Sequence, residues 1–188
     1  NPDIFNGLGL VYFARNELDS AVQNFKKALE LDPALAEVHN NLGSALAAQG
    51  KKEEAIVHFQ AALKSLNYTT PENVYYNMGL IYLDSRDYDQ AAHHFNQAIN
   101  YRATFAPAYF QLGRINAHRV NWKSAIAYYA QALRFNPTLS EAKLLLSVAY
   151  IQDGKKKLAR EILLELIKED PVSPWAIQAS ELLGSIPK

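Results

Sequence analysis

Few side chains in this chain of 188 residues could do chemistry. Cysteine is absent, which removes thiolate nucleophiles and sulfur metal ligands, and five histidines are the strongest remaining candidates. His93 and His94 are the only adjacent pair. Neighbouring helical residues point about 100° apart, so the two do not share a metal ion as an i, i+4 pair would. They are therefore predicted to be solvated residues on a helix face, and neither a metal nor another cofactor is expected.

Three short motifs could serve other chemistries, but their contexts do not favour them. Gly7-Leu8-Gly9 has no preceding strand and no third glycine, so it is predicted to pack helices rather than to bind phosphate. Lys155-Lys156-Lys157 opens a helix and is predicted to be a solvated turn. Asn67-Tyr68-Thr69 fits the glycosylation acceptor pattern, although three-residue matches arise readily by chance. Because no Ser/His/Asp grouping is present either, we expect that the protein is not an enzyme.

The overall composition excludes several classes of protein. Lysine plus arginine number 19, as do aspartate plus glutamate, so the formal net charge is zero and nucleic acid is not an expected partner. Apolar residues make up 49% of the chain, which excludes intrinsic disorder. No apolar run approaches the ~20 residues of a membrane span.

A repeat organises the elements that must position any site. Leu-Gly or Met-Gly dipeptides recur at steps of 34, 36 and 34 residues, with the glycines at Gly9, Gly43, Gly79 and Gly113. After each glycine an alanine follows at 12 residues, an aromatic residue four further on and a second alanine three beyond that. Glycine and alanine let two antiparallel helices approach closely, and the larger residues fill the remaining space. A fifth copy starts at Ser140 and has Ser147 in place of glycine.

The breaks between the apolar segments predict ten helices in antiparallel pairs. They are expected near 2–15, 18–31, 36–49, 52–65, 72–85, 88–101, 106–119, 122–135, 140–153 and 156–169. Ser173-Pro174 starts a final helix to about Leu183, because proline suits the first helical turn. This helix is expected to cover the open apolar end of the fifth copy, with a dimer through that surface as the alternative. Residues before Asn1, or a partner, are expected to cover the opposite end.

The spaced positions resemble the tetratricopeptide repeat (TPR) family over nearly the whole chain. The resemblance implies an all-α fold, a right-handed α-solenoid of five TPR helix pairs plus a C-terminal capping helix, in a single domain spanning 1–188. The repeats are expected near 2–35, 36–69, 72–105, 106–139 and 140–173, and the capping helix near 174–185. In this family the first helix of each pair lines the concave face.

The family's inward-pointing positions predict a binding surface. In the second and third repeats they are Glu37, Asn40, Ser44, Ala47, Ala48, Asn73, Tyr76, Leu80, Leu83 and Asp84. Over all repeats Arg114 is the only lysine or arginine at these positions, so the basic carboxylate clamp of the chaperone adaptors is largely missing. An apolar groove for a protein or peptide partner is expected instead, formed by Phe13, Asn40, Tyr76, Asn77, Leu80, Leu83, Phe110 and Arg114. The alternative, especially for Tyr76 and Phe110, is packing against adjacent repeats.

Two extra residues between the second and third repeats give a closer resemblance. The junction reads Leu66-Asn67-Tyr68-Thr69-Thr70-Pro71-Glu72 and is followed by Tyr75-Tyr76-Asn77-Met78-Gly79-Leu80. This pattern is similar to the type IV pilus biogenesis lipoproteins, the pilotins of the PilW, PilF and Tgl kind. The alternative is a tolerated loop insertion, which costs little free energy.

The pilotin resemblance implies a protein at the periplasmic face of the bacterial outer membrane that binds the secretin subunit and assists its targeting and assembly. We expect a monomer. Membrane attachment is expected only through a lipid anchor, since the acylated cysteine and signal peptide of that family are not in this chain. Two alternatives stay open: a generic TPR adaptor, cytoplasmic or periplasmic, that binds an unrelated protein or peptide, and the TPR region of a larger protein.

Overall fold

The structure, a computed structural model, describes residues 1–186, which form eleven α-helices and no strand. The helices are α1 (Pro2–Ala14), α2 (Leu18–Leu31), α3 (Ala36–Ala48), α4 (Lys52–Leu63), α5 (Pro71–Asp84), α6 (Tyr88–Tyr101), α7 (Ala106–His118), α8 (Trp122–Phe135), α9 (Ser140–Gln152), α10 (Lys156–Glu169) and α11 (Pro174–Ser185). The predicted all-α fold class is confirmed, and every helix end lies within two residues of its expected position. None of the described helices is both long and apolar enough to span a bilayer.

The helices group into two compact units, Asn1–Tyr101 and Arg102–Lys188. The first unit contains three helix pairs, α1–α2, α3–α4 and α5–α6. The second contains the pairs α7–α8 and α9–α10 together with α11. Within each unit, the second helix of a pair also packs against the first helix of the next pair. The prediction of one domain over 1–188 stays a prediction.

A glycine facing an aromatic ring allows the close approach of paired helices. A Cβ atom placed on Gly43 would lie 2.7 Å from Cε1 of Phe59, well inside van der Waals contact. The same clash occurs between Gly9 and Phe25, Gly79 and Phe95, and Gly113 and Tyr129. The predicted role of these spaced residues in close helix packing is therefore confirmed. The ring occupies the space that any larger residue would need.

The fifth repeat meets the same steric requirement with two other residues. Ser147 stands at the glycine position, is fully buried, and donates a hydrogen bond from Oγ to the carbonyl oxygen of Lys143 at 2.9 Å. At the position of the aromatic ring the chain has Leu163, which is also fully buried. Both positions of the contact therefore differ together in this repeat. Serine adds a Cβ atom where the other repeats have glycine, and leucine replaces the aromatic ring that would clash with it.

Helix α11 covers the end of the second unit. It packs against α10 and α9, where Trp175, Leu182 and Leu183 contact a cluster that includes the buried Leu163 and Leu166. The oxygen of Ser173 caps its first turn by accepting a hydrogen bond from the Ala176 N–H at 3.1 Å. The predicted capping helix is confirmed, because α11 shields apolar side chains that α10 would otherwise expose.

Candidate functional site

An apolar cavity of about 300 Å³ lies in the first unit between α1, α3, α4 and α5. It brings together three residues of the predicted groove, Phe13, Asn77 and Leu80. Its other lining residues are Ser44, Ala47, Lys52, Phe59, Ile81 and Asp84. We refer to this site as the apolar cavity.

Helical spacing and one small residue create the apolar cavity. Helix α5 contributes Asn77, Leu80, Ile81 and Asp84, whose i, i+3, i+4, i+7 spacing places them on one face. Ala47 occupies the repeat position at which α1 carries Phe13 and α5 carries Leu83. Its short side chain leaves space that a larger residue at the same position would fill.

Amide side chains connect the first helices of the three repeats beside the apolar cavity. Asn77 donates from Nδ2 to Oδ1 of Asn40 and to Oγ of Ser44, each at 3.2 Å. Nδ2 of Asn41 donates to Oδ1 of Asn6 at 3.0 Å. These part-buried bonds run from α5 to α3 and from α3 to α1. They fix the relative positions of the helices that present Phe13 and Leu80.

An ion pair closes one edge of the apolar cavity. Nζ of Lys52 lies 2.6 Å from Oδ2 of Asp84 and donates a hydrogen bond to Oγ of Ser85 at 3.0 Å. The hydrogen bond and charge of Lys52 hold the pKa of Asp84 below its ordinary value. The edge therefore carries two charges that satisfy each other, which suits an apolar rather than an ionic ligand.

The remaining predicted residues of the first unit lie outside the lining. Tyr76 and Leu83 are half-buried on α5, and the ring centroid of Tyr76 lies 5.5 Å from that of Phe95 in the same repeat. Asn40 does not line the apolar cavity but accepts hydrogen bonds from two residues that do, Asn77 and Ser44. Sequence reasoning did not select Lys52 or Phe59, because both lie on α4 and the family pattern points to first helices. Ser44, Ala47 and Asp84 stood at inward positions but were not selected for the predicted groove.

Two predicted residues, Phe110 and Arg114, belong to the second unit. Phe110 is only 7% exposed, and its ring centroid lies 6.0 Å from that of Tyr129. Arg114 is exposed, donates from Nη1 to Oε1 of Gln111 at 3.2 Å, and places its guanidinium 6.0 Å from the centre of the Phe110 ring. Phe110 thus belongs to a buried cluster that includes Tyr129 of its own repeat and Leu146 of the next. This agrees with the alternative of packing against adjacent repeats, and we omit Phe110 from the proposed surface.

The two-residue insertion forms part of a second, polar cavity of about 510 Å³ in the first unit. Its lining consists of Ala34, Leu35, Ala36, Glu37, Asn40, Asn41, Ser65, Asn67, Tyr68, Thr69, Thr70 and Asn73. The pKa of the half-buried Tyr68 is raised, chiefly by burial. A hydrogen bond to Thr70 lowers this pKa, and the charges of Glu37 and Glu72 raise it further. The insertion therefore shapes a surface recess, which the sequence did not predict.

One histidine prediction is wrong. His94 is buried, and its ring stacks with those of Tyr82 and Tyr75 at centroid distances of 5.1 and 6.2 Å. Burial lowers the pKa of His94, and His93 acts in the same direction. The prediction failed because it treated histidine as a polar surface residue, whereas this ring fills the contact between α5 and α6. His93 is exposed, as expected.

His39 and His58 form a hydrogen-bonded pair between α3 and α4. Their Nδ1 atoms are 3.0 Å apart, and Nε2 of His39 lies 3.1 Å from the carbonyl oxygen of Pro33. Because that carbonyl only accepts, Nε2 of His39 donates to it. Burial, His39 and Lys26 lower the pKa of His58, whereas Glu54 raises it. In residues 1–186 no three histidine, aspartate or glutamate side chains form a group that could hold a metal ion.

Comparison with known proteins identifies the repeat. Four models described as TPR or tetratricopeptide repeat match residues 9–50, 35–104, 76–140 and 120–186, and together they extend over nearly the whole chain. A similar curated protein is the BBSome complex member BBS4 homolog of Drosophila melanogaster, 34% identical over 118 residues. That match covers 60% of this chain but 23% of the relative, so the chain spans well under half of that protein's length.

Two solved structures resemble the fold over its length. PilW, a type IV pilus biogenesis factor, has a TM-score of 0.84 at 22% identity, with 96% of this chain and 83% of that chain covered. PilF of Pseudomonas aeruginosa has a TM-score of 0.82 at 21% identity, with 97% of this chain and 82% of that chain covered. At such identities the likeness establishes the fold. With its matched repeats, glycine–aromatic contacts and paired helices, the chain belongs to the tetratricopeptide repeat family.

Proposed function

We propose that the chain is a non-enzymatic scaffold that binds an apolar segment of a protein partner in the apolar cavity of its first unit. The observation that carries the proposal is the convergence of Phe13, Leu80 and Asn77, from two different repeats, on one recess. A volume of about 300 Å³ is at the small end of ligand sites, which suits one or two anchoring side chains of a peptide. Anchors of this kind contribute most of the free energy at protein interfaces.

The recess combines an apolar wall with a few oriented polar groups. Apolar partner side chains would displace water from Phe13, Leu80 and Ile81, and this burial favours binding. Ser44 and Asn77, which already hydrogen-bond each other, place polar atoms on the same wall. A partner that leaves the ion pair of Lys52 and Asp84 at the edge avoids the cost of desolvating it.

For the identity of the partner we propose a secretin subunit, which the chain would bind as a pilotin at the periplasmic face of the outer membrane. The junction from Leu66 to Leu80, with its two-residue insertion, supports this proposal. Attachment to the membrane would require a lipid anchor. The likeness to PilW and PilF is compatible with the proposal and does not establish it, because it concerns the fold.

Cells that lack the gene provide the test. Secretin multimers and surface pili should be lost on deletion and restored by the wild-type chain, but not by the Leu80→Asp variant. Val57→Asp is the matched control, because Val57 lies on α4 of the same unit, is 62% exposed, and does not line the apolar cavity. Normal multimers and pili after deletion would eliminate the pilotin proposal. They would favour an adaptor for an unrelated protein.

A further inference from the structure

The polar cavity, which the two-residue insertion helps to form, borders the apolar cavity. Asn40 lines the polar cavity, and its Oδ1 accepts a hydrogen bond from Asn77, which lines the apolar cavity. The main-chain carbonyl oxygen of Asn40 accepts from Oγ of Ser44, which also lines the apolar cavity. These three hydrogen-bonded residues are all that separates the two cavities at this point, so one bound segment can reach both.

The two cavities follow one another along helices α3 and α5. On α3, Glu37 lines the polar cavity and Ser44 lines the apolar cavity. On α5, Asn73 and Leu80 are related in the same way. Both pairs are spaced i, i+7, which corresponds to about 10 Å of helix. An extended polypeptide covers that distance in about three residues.

The polar cavity suits an extended main chain better than a helix. Its lining includes four amide side chains, those of Asn40, Asn41, Asn67 and Asn73. Each amide has both donor and acceptor atoms, as a peptide group does. An extended segment has main-chain N–H and C=O groups that need partners, whereas a helix satisfies most of these groups internally.

The polar cavity is also negatively charged. Glu37 is the only charged side chain in its lining, which contains no lysine or arginine. The field of the carboxylates is felt at Tyr68, whose pKa is raised first by burial and then by the charges of Glu37 and Glu72. A carboxylate among neutral amide and hydroxyl groups attracts a cation and repels an anion, and lysine and arginine side chains are its strongest hydrogen-bond donors.

We propose that the partner segment is extended and carries a lysine or arginine about three residues from its apolar anchor. The apolar side chain occupies the apolar cavity, and the basic side chain lies beside Glu37 in the polar cavity. This inference rests on the proposed function, because the apolar cavity supplies the anchor site. The charge preference is opposite to that of the basic carboxylate clamp.

Selection from a random dodecapeptide library displayed on phage tests the proposal, with the full chain as target. The wild-type chain should enrich peptides in which an aromatic or aliphatic residue stands two to four positions from a lysine or arginine. Glu37→Gln, which removes the charge and keeps the shape, should still select the apolar residue but not the basic one. Glu53→Gln is the matched control, because Glu53 is exposed on α4 and lines neither cavity. It should select the same peptides as the wild type.

A synthetic peptide from the wild-type selection measures the effect on affinity. By fluorescence anisotropy, Glu37→Gln should weaken its binding about fivefold, and this loss should shrink in about 0.5 M sodium chloride. Replacing the basic residue of the peptide by glutamine should cause a similar loss, and the two losses should not add.

The outcomes separate this inference from the proposed function. Selection of apolar peptides without a basic preference, or equal affinity of the wild type and Glu37→Gln, would overturn the inference and leave the apolar anchor in place. Peptides without an apolar residue, an unchanged selection by Leu80→Asp, or no enrichment would contradict the proposed function as well.

Discussion

At the scale of single residues, Gly43 and Phe59 show how one absent side chain sets the separation of two helices. The phenyl ring lies where a Cβ atom would stand. Gly7, on α1, has no atom within 4 Å of its own hypothetical Cβ. The same residue type therefore has opposite consequences at two helical positions, and this difference can be measured.

Gly43→Ala should destabilise the chain by ~1–3 kcal/mol, because the added methyl overpacks the contact with Phe59. Gly7→Ala, the matched control, should stabilise it by up to ~1 kcal/mol through helix propensity. Urea denaturation at constant pH measures both changes. Adding Phe59→Leu to Gly43→Ala should recover part of the loss, as the pair Ser147 and Leu163 implies. Equal effects of the two alanine variants would contradict the steric explanation.

Two histidines should make stability depend on pH. Burial lowers the pKa of both His58 and His94. At His58 the charges of His39 and Lys26 lower the pKa further, and the charge of Glu54 raises it. At His94 the charge of His93 lowers the pKa further. As the pH falls below 6.5, the unfolded chain takes up protons before the folded chain does. Stability should be full above this pH and decrease as the pH falls toward the folded-state pKa values.

Thermal unfolding between pH 8 and pH 5 measures this dependence. Replacing His58 and His94 by glutamine should reduce the loss of stability on acidification, each variant in part and the double variant most. An unchanged dependence in the double variant would show that other groups are responsible. Burial raises the pKa of Tyr75, which stacks on His94, so this tyrosine stays neutral in the range.

At the scale of elements, the loops within the five helix pairs each contain a residue with positive φ. Two of these residues are Gly50 and Gly154, at 80° and 79°. Val120 has φ of 59° and is 67% exposed, and a β-branched side chain is strained in this left-handed region. The expected effect of replacing Val120 therefore follows from its backbone conformation.

Val120→Gly should stabilise the chain by about 1 kcal/mol, because glycine removes the strain at positive φ. The reciprocal variant Gly50→Val should destabilise it by a similar amount. No neighbouring atom lies within 4 Å of a Cβ at position 50, so the strain of the backbone at positive φ decides the effect. Chemical denaturation gives both values. Destabilisation by Val120→Gly would mean that the valine side chain contributes more than its backbone costs.

Sequence reasoning located the helices well because each repeat restates the same spacing. It also identified Phe13, Asn77 and Leu80, which share a cavity. It could not find Lys52 and Phe59, since α4 contributes to that cavity only through the packing of successive repeats. Nor could it show that Ala47 opens the cavity. The effect of a short side chain becomes visible only when the folded chain shows the larger residues at the equivalent positions. His94 was misjudged for a similar reason, as its burial depends on two tyrosines from another helix.

At the scale of the whole molecule, apolar surface recurs where repeats leave a position unfilled. In the first unit it lines the apolar cavity at Ala47. In the second unit α11 covers the corresponding surface of α10. The formal net charge is zero, and we propose that a partner recognises this apolar surface.

The most direct test of the central claim is site-specific photo-crosslinking of the chain to its partner. Photoreactive benzoylphenylalanine replaces Leu80 in one variant of the chain and Val57 in a second variant. Each variant is irradiated in cells that produce the secretin subunit. We predict a secretin adduct from position 80 and none from position 57, because Leu80 lines the apolar cavity and Val57 does not. Adducts of equal yield from both positions, or an adduct from position 57 alone, would contradict binding in the apolar cavity.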